Sequence, residues 1–202
     1  MKLYYSPGAC SMAVDIALHE AGTAFEMEKV DLAARKTAAG EDYTRINPKG
    51  YVPALRLDNG QLLTEVAVIL QYVADQKPDS GLAPKAGTME RYRLMEWLNF
   101  VSSEIHKQFS PLWNPKTPEE TRQMQKDRLA GRFDWLSKEL DGKPFLMDGQ
   151  FTVADAYLFT VLNWTHILKI DLGRWPKLKD YMARVAARPK VQETMKAEGL
   201  VK

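Results

Sequence analysis

Residues 77–87, Lys-Pro-Asp-Ser-Gly-Leu-Ala-Pro-Lys-Ala-Gly, divide this chain into two stretches with different hydrophobic periods. Proline and glycine at this density interrupt helices and strands alike. Before the segment, short alternating runs are interleaved with helical ones. After it, only helical periodicity remains. The division predicts an α/β unit at 1–76, a linker at 77–87 and an all-α unit at 88–202. A length of 202 residues is enough to give each unit a core of its own.

The first stretch reads as strands at 2–5 and 25–30, with a helix at 11–21 stopped by Gly22. One helical turn at 43–46 precedes the turn cluster Asn47-Pro48-Lys49-Gly50. Strands at 52–57 and 61–63 flank Asp58-Asn59-Gly60, a hairpin signal, and a helix runs over 67–75. The order β-α-β-α-β-β-α implies a small mixed sheet covered by helices. The second stretch predicts helices at 88–109, 118–140, 152–168, 176–188 and 189–197.

Composition narrows the function. Hydrophobic residues are 45% and charged residues 27%, and the net charge is +2, without a polybasic block. This gives no electrostatic argument for nucleic acid or a membrane surface as partner. No apolar run approaches a membrane span, and Met1-Lys2-Leu3-Tyr4 lacks a long apolar signal core. A single cysteine forms no internal disulfide, which fits the cytoplasm. Three dispersed histidines, His19, His106 and His166, give no metal-ligand cluster.

Four places carry candidate chemistry. Cys10 follows the turn Pro7-Gly8 and directly precedes the first helix. A thiol there faces unpaired N–H groups and the positive helix end, both of which favour the thiolate. The alternative is a small buried hydrophobe. Val52-Pro53 leads a strand; a cis bond would turn the Val52 backbone toward Cys10, whereas trans is the ordinary X–Pro form. Thr64-Glu65-Val66 opens a helix, either as a simple cap with Thr64 at the N-cap or as a holder of a ligand carboxylate and ammonium. Asn99, Ser103 and His106 share one helical face, which is either solvated or functional. Trp97 and Phe100 read as core. Phe151-Thr152-Val153-Ala154-Asp155 is a capping box with Asp in the usual Glu or Gln place, and the apolar helix behind it should be a buried centre.

Taken together, these motifs resemble the glutathione S-transferases, specifically the bacterial beta class. The resemblance runs through residues 4–11, Asn47 to Leu55, Leu63-Thr64-Glu65, Glu96 to Phe100, Ser103 to Lys107 and Phe151 to Phe159. It implies a thioredoxin-like domain with a C-terminal helical bundle, glutathione as co-substrate, no metal, a hydrophobic electrophile as second substrate, and a homodimer. It implies that Cys10 and His106 are catalytic and that the Val52-Pro53 bond is cis. Glutathione contacts are implied for Ala9, Ser11, Arg35, Tyr51, Val52, Pro53, Glu65, Val66, Asn99, Ser103, Glu104, Ile105 and Lys107. Asn99 and the 103–106 segment would reach the cleft of a neighbouring subunit or close their own.

This sequence departs from the family pattern at Val66, at Asp15 and at Arg35. Asp15 would weakly oppose a thiolate at Cys10. Two chemistries fit: conjugation of glutathione to an electrophile, and thiol–disulfide exchange through Cys10. The expected electrophile pocket comprises Tyr5, Phe109, Leu112, Trp113 and His166. A glutathione-dependent dehalogenase of aromatic compounds is a narrower variant. A non-catalytic relative of the stringent-starvation type is the alternative outside enzymes.

Overall fold

Lys2–Tyr5 forms β1, and the twofold period of a strand sends Leu3 and Tyr4 to opposite faces. In the computed structural model, which describes residues 1–201, both side chains are buried. Both faces of the sheet are therefore covered. The other strands are β2 (Glu26–Asp31), β3 (Lys36–Thr37), β4 (Ala54–Arg56) and β5 (Leu62–Thr64), in the order β3-β2-β1-β4-β5. β1 and β2 are parallel; the remaining pairs are antiparallel.

The order matches the sequence reading except for β3, a two-residue strand too short to leave a periodic signal. β4 begins at Ala54 instead of residue 52, because Pro53 has no N–H to give the ladder. The hairpin after it closes as expected, with Gly60 at φ 84° and its N–H donating to the Leu57 carbonyl at 2.9 Å.

α1 (Ser11–Glu20) is buried from Ser11 through Leu18 and ends before Gly22, whose φ of 62° suits glycine. It packs against α3 (Val66–Gln76) on one side and against α7 (Val153–Ile167) and α9 (Pro189–Ala197) on the other. One apolar core thus runs from the sheet into the helical part. On the opposite sheet face, the short helix α2 (Tyr43–Ile46) brings Tyr43 onto Tyr4, with ring centroids 5.7 Å apart.

The predicted helix 88–109 is longer and not uniform. α4 (Met89–Phe100) passes into a π-helical segment (Val101–His106) and then α5 (Lys107–Trp113). Such segments shift the face that each residue presents, and they concentrate at functional sites. Helices α6 (Glu119–Glu139) and α8 (Pro176–Ala186) complete the part around α7. As expected, α7 is buried nearly all round and opens on the Thr152–Asp155 capping box. Among the described residues, no helix is long and apolar enough to cross a membrane.

Candidate active site

The turn at residues 6–9 delivers Cys10 to the first position before α1. Its side chain is half-buried, and Sγ lies 3.2 Å from the Val52 carbonyl oxygen, to which the thiol donates. The Val52–Pro53 bond is cis. The helix N-terminus acts as the sequence predicts, since the Cys10 and Ser11 N–H groups favour the thiolate. Burial outweighs them, with the Glu65 charge adding to it, and the thiol is pushed up to about 12. The expected thiolate is therefore a neutral thiol. The opposing carboxylate is Glu65, not Asp15.

Glu65, not Thr64, occupies the N-cap of α3, at φ 71°. That left-handed conformation is costly for a non-glycine residue and persists only where its surroundings enforce it. Here the turn after α2 enforces it. Lys49 Nζ lies 2.5 Å and the Tyr51 hydroxyl 3.2 Å from Glu65 Oε1, while Lys49 also donates to Thr64 Oγ1 at 3.0 Å. Lys49 holds the Glu65 carboxyl below the usual carboxylate range. Buried Asn47 organises this turn by donating to the Tyr51 carbonyl at 2.7 Å. No side chain caps α3, and its first residues, Val66 and Ala67, open on the cavity in front of Cys10.

That cavity encloses about 240 Å³ and is lined by Cys10, Tyr51, Val52, Pro53, Glu65, Val66, Ala67, Ser102, His106, Lys107 and Tyr157. The π segment turns Ser102 and His106 inward together, while Ser103 is exposed and donates to the Asn99 carbonyl at 3.0 Å. The shared face expected for Asn99, Ser103 and His106 is thus split. Asn99 and Ser103 form an outer surface with the exposed Tyr92 and Met95. Glu104 pairs with Arg132 at 2.6 Å, and Ile105 is fully buried in the core.

His106 Nδ1 lies 2.7 Å from the Tyr157 hydroxyl. Burial and the Lys107 charge push the ring down to about 4, so it is neutral at neutral pH. Burial keeps the Tyr157 phenol protonated, so it has a hydrogen to donate. Taking the phenol as donor to Nδ1 places the ring hydrogen on Nε2. His106 is then a neutral N–H donor beside Cys10.

A second cavity of about 420 Å³ shares Cys10, Tyr51, Val52 and His106 with the first. Its walls add Pro7, Gly8, Ala9, Leu32, Ser110, Trp113, Trp164 and Ile167. Of the five residues expected in an electrophile pocket, Trp113 is here. Phe109 and Leu112 are buried in the core, and Tyr5 packs against that core. His166 lines a separate groove between α7 and α8. Trp164 stands edge-on to His106, Phe109 and Trp113 at centroid distances of 4.9, 5.5 and 5.8 Å.

Several expected residues lie outside both cavities. Ser11 is fully buried, and its hydroxyl closes the turn by donating to the Ser6 carbonyl at 3.2 Å. Arg35 is exposed at φ 54° between β2 and β3. Sequence reasoning missed Lys49, Ser102, Tyr157 and Trp164. Ser102 stands four residues before His106, so the helical spacing did contain it. Tyr157 reads as core from the apolar run of its helix, and only packing brings its hydroxyl to His106; packing likewise brings Trp164 Nε1 to the Gly8 carbonyl.

Comparison with known proteins gives this geometry a context. Residues 8–76 match the model of the glutathione S-transferase N-terminal domain, and 100–189 that of its C-terminal domain. Glutathione S-transferase GstA of Escherichia coli O157:H7 is 44% identical over 99% of this chain and 100% of its own. A sphingomonad glutathione S-transferase solved with glutathione is 49% identical, with a TM-score of 0.96 over 100% of both chains. The bacterial beta class enzyme of Sphingomonas chungbukensis gives the same identity, coverage and TM-score.

Proposed function

Because this chain belongs to the glutathione S-transferase family, we propose that it conjugates glutathione to hydrophobic electrophiles in the cleft between Cys10 and His106. The observation that carries this reading is the pair of adjoining cavities: one that gathers the polar groups of the Val52 backbone and Glu65, and a more apolar one walled by Leu32, Trp113, Trp164 and Ile167. An extended peptide in the first would pair with the Val52 backbone. Its ammonium would meet Glu65, and its γ-glutamyl carboxylate the α3 N-terminus.

Once the peptide takes up the Val52 carbonyl to which Cys10 donates, the site offers a sulfur two neutral donors, the released Cys10 S–H and His106 Nε2–H, with the charged Lys107 at the rim. Donors to a sulfur anion favour deprotonation of the glutathione thiol, whose proton leaves to solvent. The thiolate attacks the electrophilic carbon, the C–S bond forms, and the leaving group departs with its electron pair. In the presence of 1-chloro-2,4-dinitrobenzene, we expect turnover that saturates in both substrates. A protein that neither turns over nor binds glutathione would be a non-catalytic relative instead.

Tyr157→Phe tests the assignment of His106. The variant keeps the ring packing and removes the donor to Nδ1. Loss of about 1 kcal/mol of hydrogen bonding to a neutral partner gives a kcat roughly five- to tenfold lower, with little change in KM for glutathione. The His106 ring nitrogen shifts would show mixed tautomers. An unchanged kcat with Nε2–H retained would refute the assignment.

We further propose a homodimer. Exposed Val68 on α3 and exposed Met89, Tyr92 and Met95 on α4 form an apolar face that continues to Asn99 and Ser103. Pairing there would explain why Asn99 and Ser103 point away from their own cavity. Sedimentation should show a dimer, and a stable monomer at micromolar concentration would count against it.

A further inference from the structure

A further cavity, of about 680 Å³, opens between α4 and α6 and shares no residue with the two at Cys10. Its floor is aromatic. Trp97 and Phe100 of α4, which the sequence pattern places in the core, are only half-buried, and Trp135 of α6 is 40% exposed. The Trp97–Phe100, Trp97–Trp135 and Phe100–Trp135 ring centroids are 6.0, 5.4 and 4.6 Å apart, with the planes at 88°, 39° and 54°. Rings set this closely let one small group touch all three. Trp97 and Phe100 turn toward α6, whereas Tyr92, Met95 and Asn99 lie on the outer surface proposed above for pairing.

The rim is acidic. Glu90, Glu96, Glu139 and Asp148 line it together with Arg93 and Lys143, so four carboxylates against two bases leave two negative charges. Both bases are already engaged, Arg93 with Glu96 at 2.9 Å and Lys143 with Asp148 at 3.4 Å. Among the described residues, Glu90 and Glu139 form no ion pair, and these are the charges left over. The face of an aromatic ring is itself the negative end of a quadrupole and attracts a cation within about 6 Å of its centroid. An anion would therefore meet repulsion from both the rim and the floor. A metal ion keeps its water or takes converging oxygen ligands, which rings do not supply. A neutral apolar molecule would use the rings and leave the carboxylates idle.

We propose that this groove binds a small organic cation, an alkylated ammonium group seated on Trp97, Phe100 and Trp135 with its charge answered by Glu90 and Glu139. Alkyl groups on the nitrogen give such a cation an apolar surface that fits the rings, while its charge suits both the ring faces and the rim. Met147 at the edge adds a polarisable thioether to the same surface. The cation sits apart from Cys10 and takes no part in the reaction proposed above, so the site stands or falls independently of that reaction.

The full-length protein is titrated by calorimetry with choline and with benzyltrimethylammonium, beside 3,3-dimethylbutan-1-ol, the uncharged carbon counterpart of choline. Both ammonium probes should bind, and choline about tenfold more tightly than the alcohol. Trp135→Leu keeps an apolar side chain at an exposed position and should weaken both ammonium probes about tenfold. Glu139→Gln should weaken them about threefold, less so at high salt, and leave the alcohol unchanged. Neither residue lines a cavity at Cys10, so both variants should keep wild-type conjugation and sedimentation. Ammonium probes that fail to bind at about 50 mM would overturn the proposal. So would an alcohol that binds as tightly as choline, which would make the groove an unselective apolar pocket. Affinity that survives both substitutions would put the cation elsewhere on the molecule. A change in sedimentation for Trp135→Leu would assign the rings to a contact between copies and equally overturn the proposal.

Discussion

Cys10→Ala should retain glutathione conjugation within about tenfold while losing thiol–disulfide exchange to background. The first half follows from what the thiol does. It is neutral, pushed up to about 12, and donates a single hydrogen bond to the Val52 carbonyl. Removing one neutral donor from the site costs about 1 kcal/mol, within a factor of ten in rate. The second half follows from chemistry: no other cysteine exists to carry a mixed disulfide. The same burial sets the wild-type exchange rate. With burial pushing the thiol up to about 12, little thiolate is present at neutral pH, so exchange should be slow and climb with pH. The measurement is conjugation to 1-chloro-2,4-dinitrobenzene beside reduction of a glutathione mixed disulfide, wild type against variant. Disulfide reduction that survives in the variant, or a wild-type exchange rate that levels off below pH 8, would contradict the neutral thiol.

Asp155→Ala should cost about 4 kcal/mol of stability, lowering Tm by roughly 10–15 °C for a chain of this size, with little change in activity of the folded protein. Its carboxyl is fully buried and joins three segments. One oxygen accepts from the Leu146 N–H at 2.9 Å and the Tyr181 hydroxyl at 3.1 Å. The other accepts from the Thr152 N–H at 2.9 Å and hydroxyl at 3.0 Å. Alanine orphans these donors in a dry interior, where each is worth about 1–3 kcal/mol, partly offset by removing a costly buried charge. Burial pushes this carboxyl up in spite of the four donors, which marks that charge as costly. Asp155→Asn should fall between, since an amide offers one accepting oxygen. Thermal melting checks both variants. An unchanged Tm, or a folded variant without activity, would place Asp155 in the chemistry instead.

The two cases show what each level of description reveals. The capping box is legible because its partners lie three residues apart on a helix start, and helix starts follow local rules. The same holds for the Asp58-Asn59-Gly60 hairpin, the Gly22 stop and the placement of Cys10 before α1. The Asp155 links to Leu146 and Tyr181 were not legible. They join segments brought together by packing alone. At the site, Cys10, Val52, Pro53, Glu65, Val66, Tyr51, His106 and Lys107 were all named from the sequence and meet around one cavity. Their states were not legible. The Cys10 thiol reverses its expected charge because desolvation by the rest of the chain exceeds the pull of two local N–H groups. Glu65 takes the N-cap from Thr64 because Lys49 and Tyr51 hold its carboxylate from another turn.

The sequence by itself determined the strand and helix order of the sheet region apart from β3, and the helix ends that local caps set, such as the Thr152 box and the Gly22 stop. Each of these is written in periodicity or in hydrogen bonds that span a few residues. The tertiary structure decided the inward turn of Ser102 and His106, the contact of Tyr157 with His106, the apolar wall of Trp113 and Trp164, and the hold of Glu198 on Gly8. Those depend on distances between residues as far apart as 8 and 198, and on how deeply each group is withdrawn from water. No local pattern in a chain encodes either quantity.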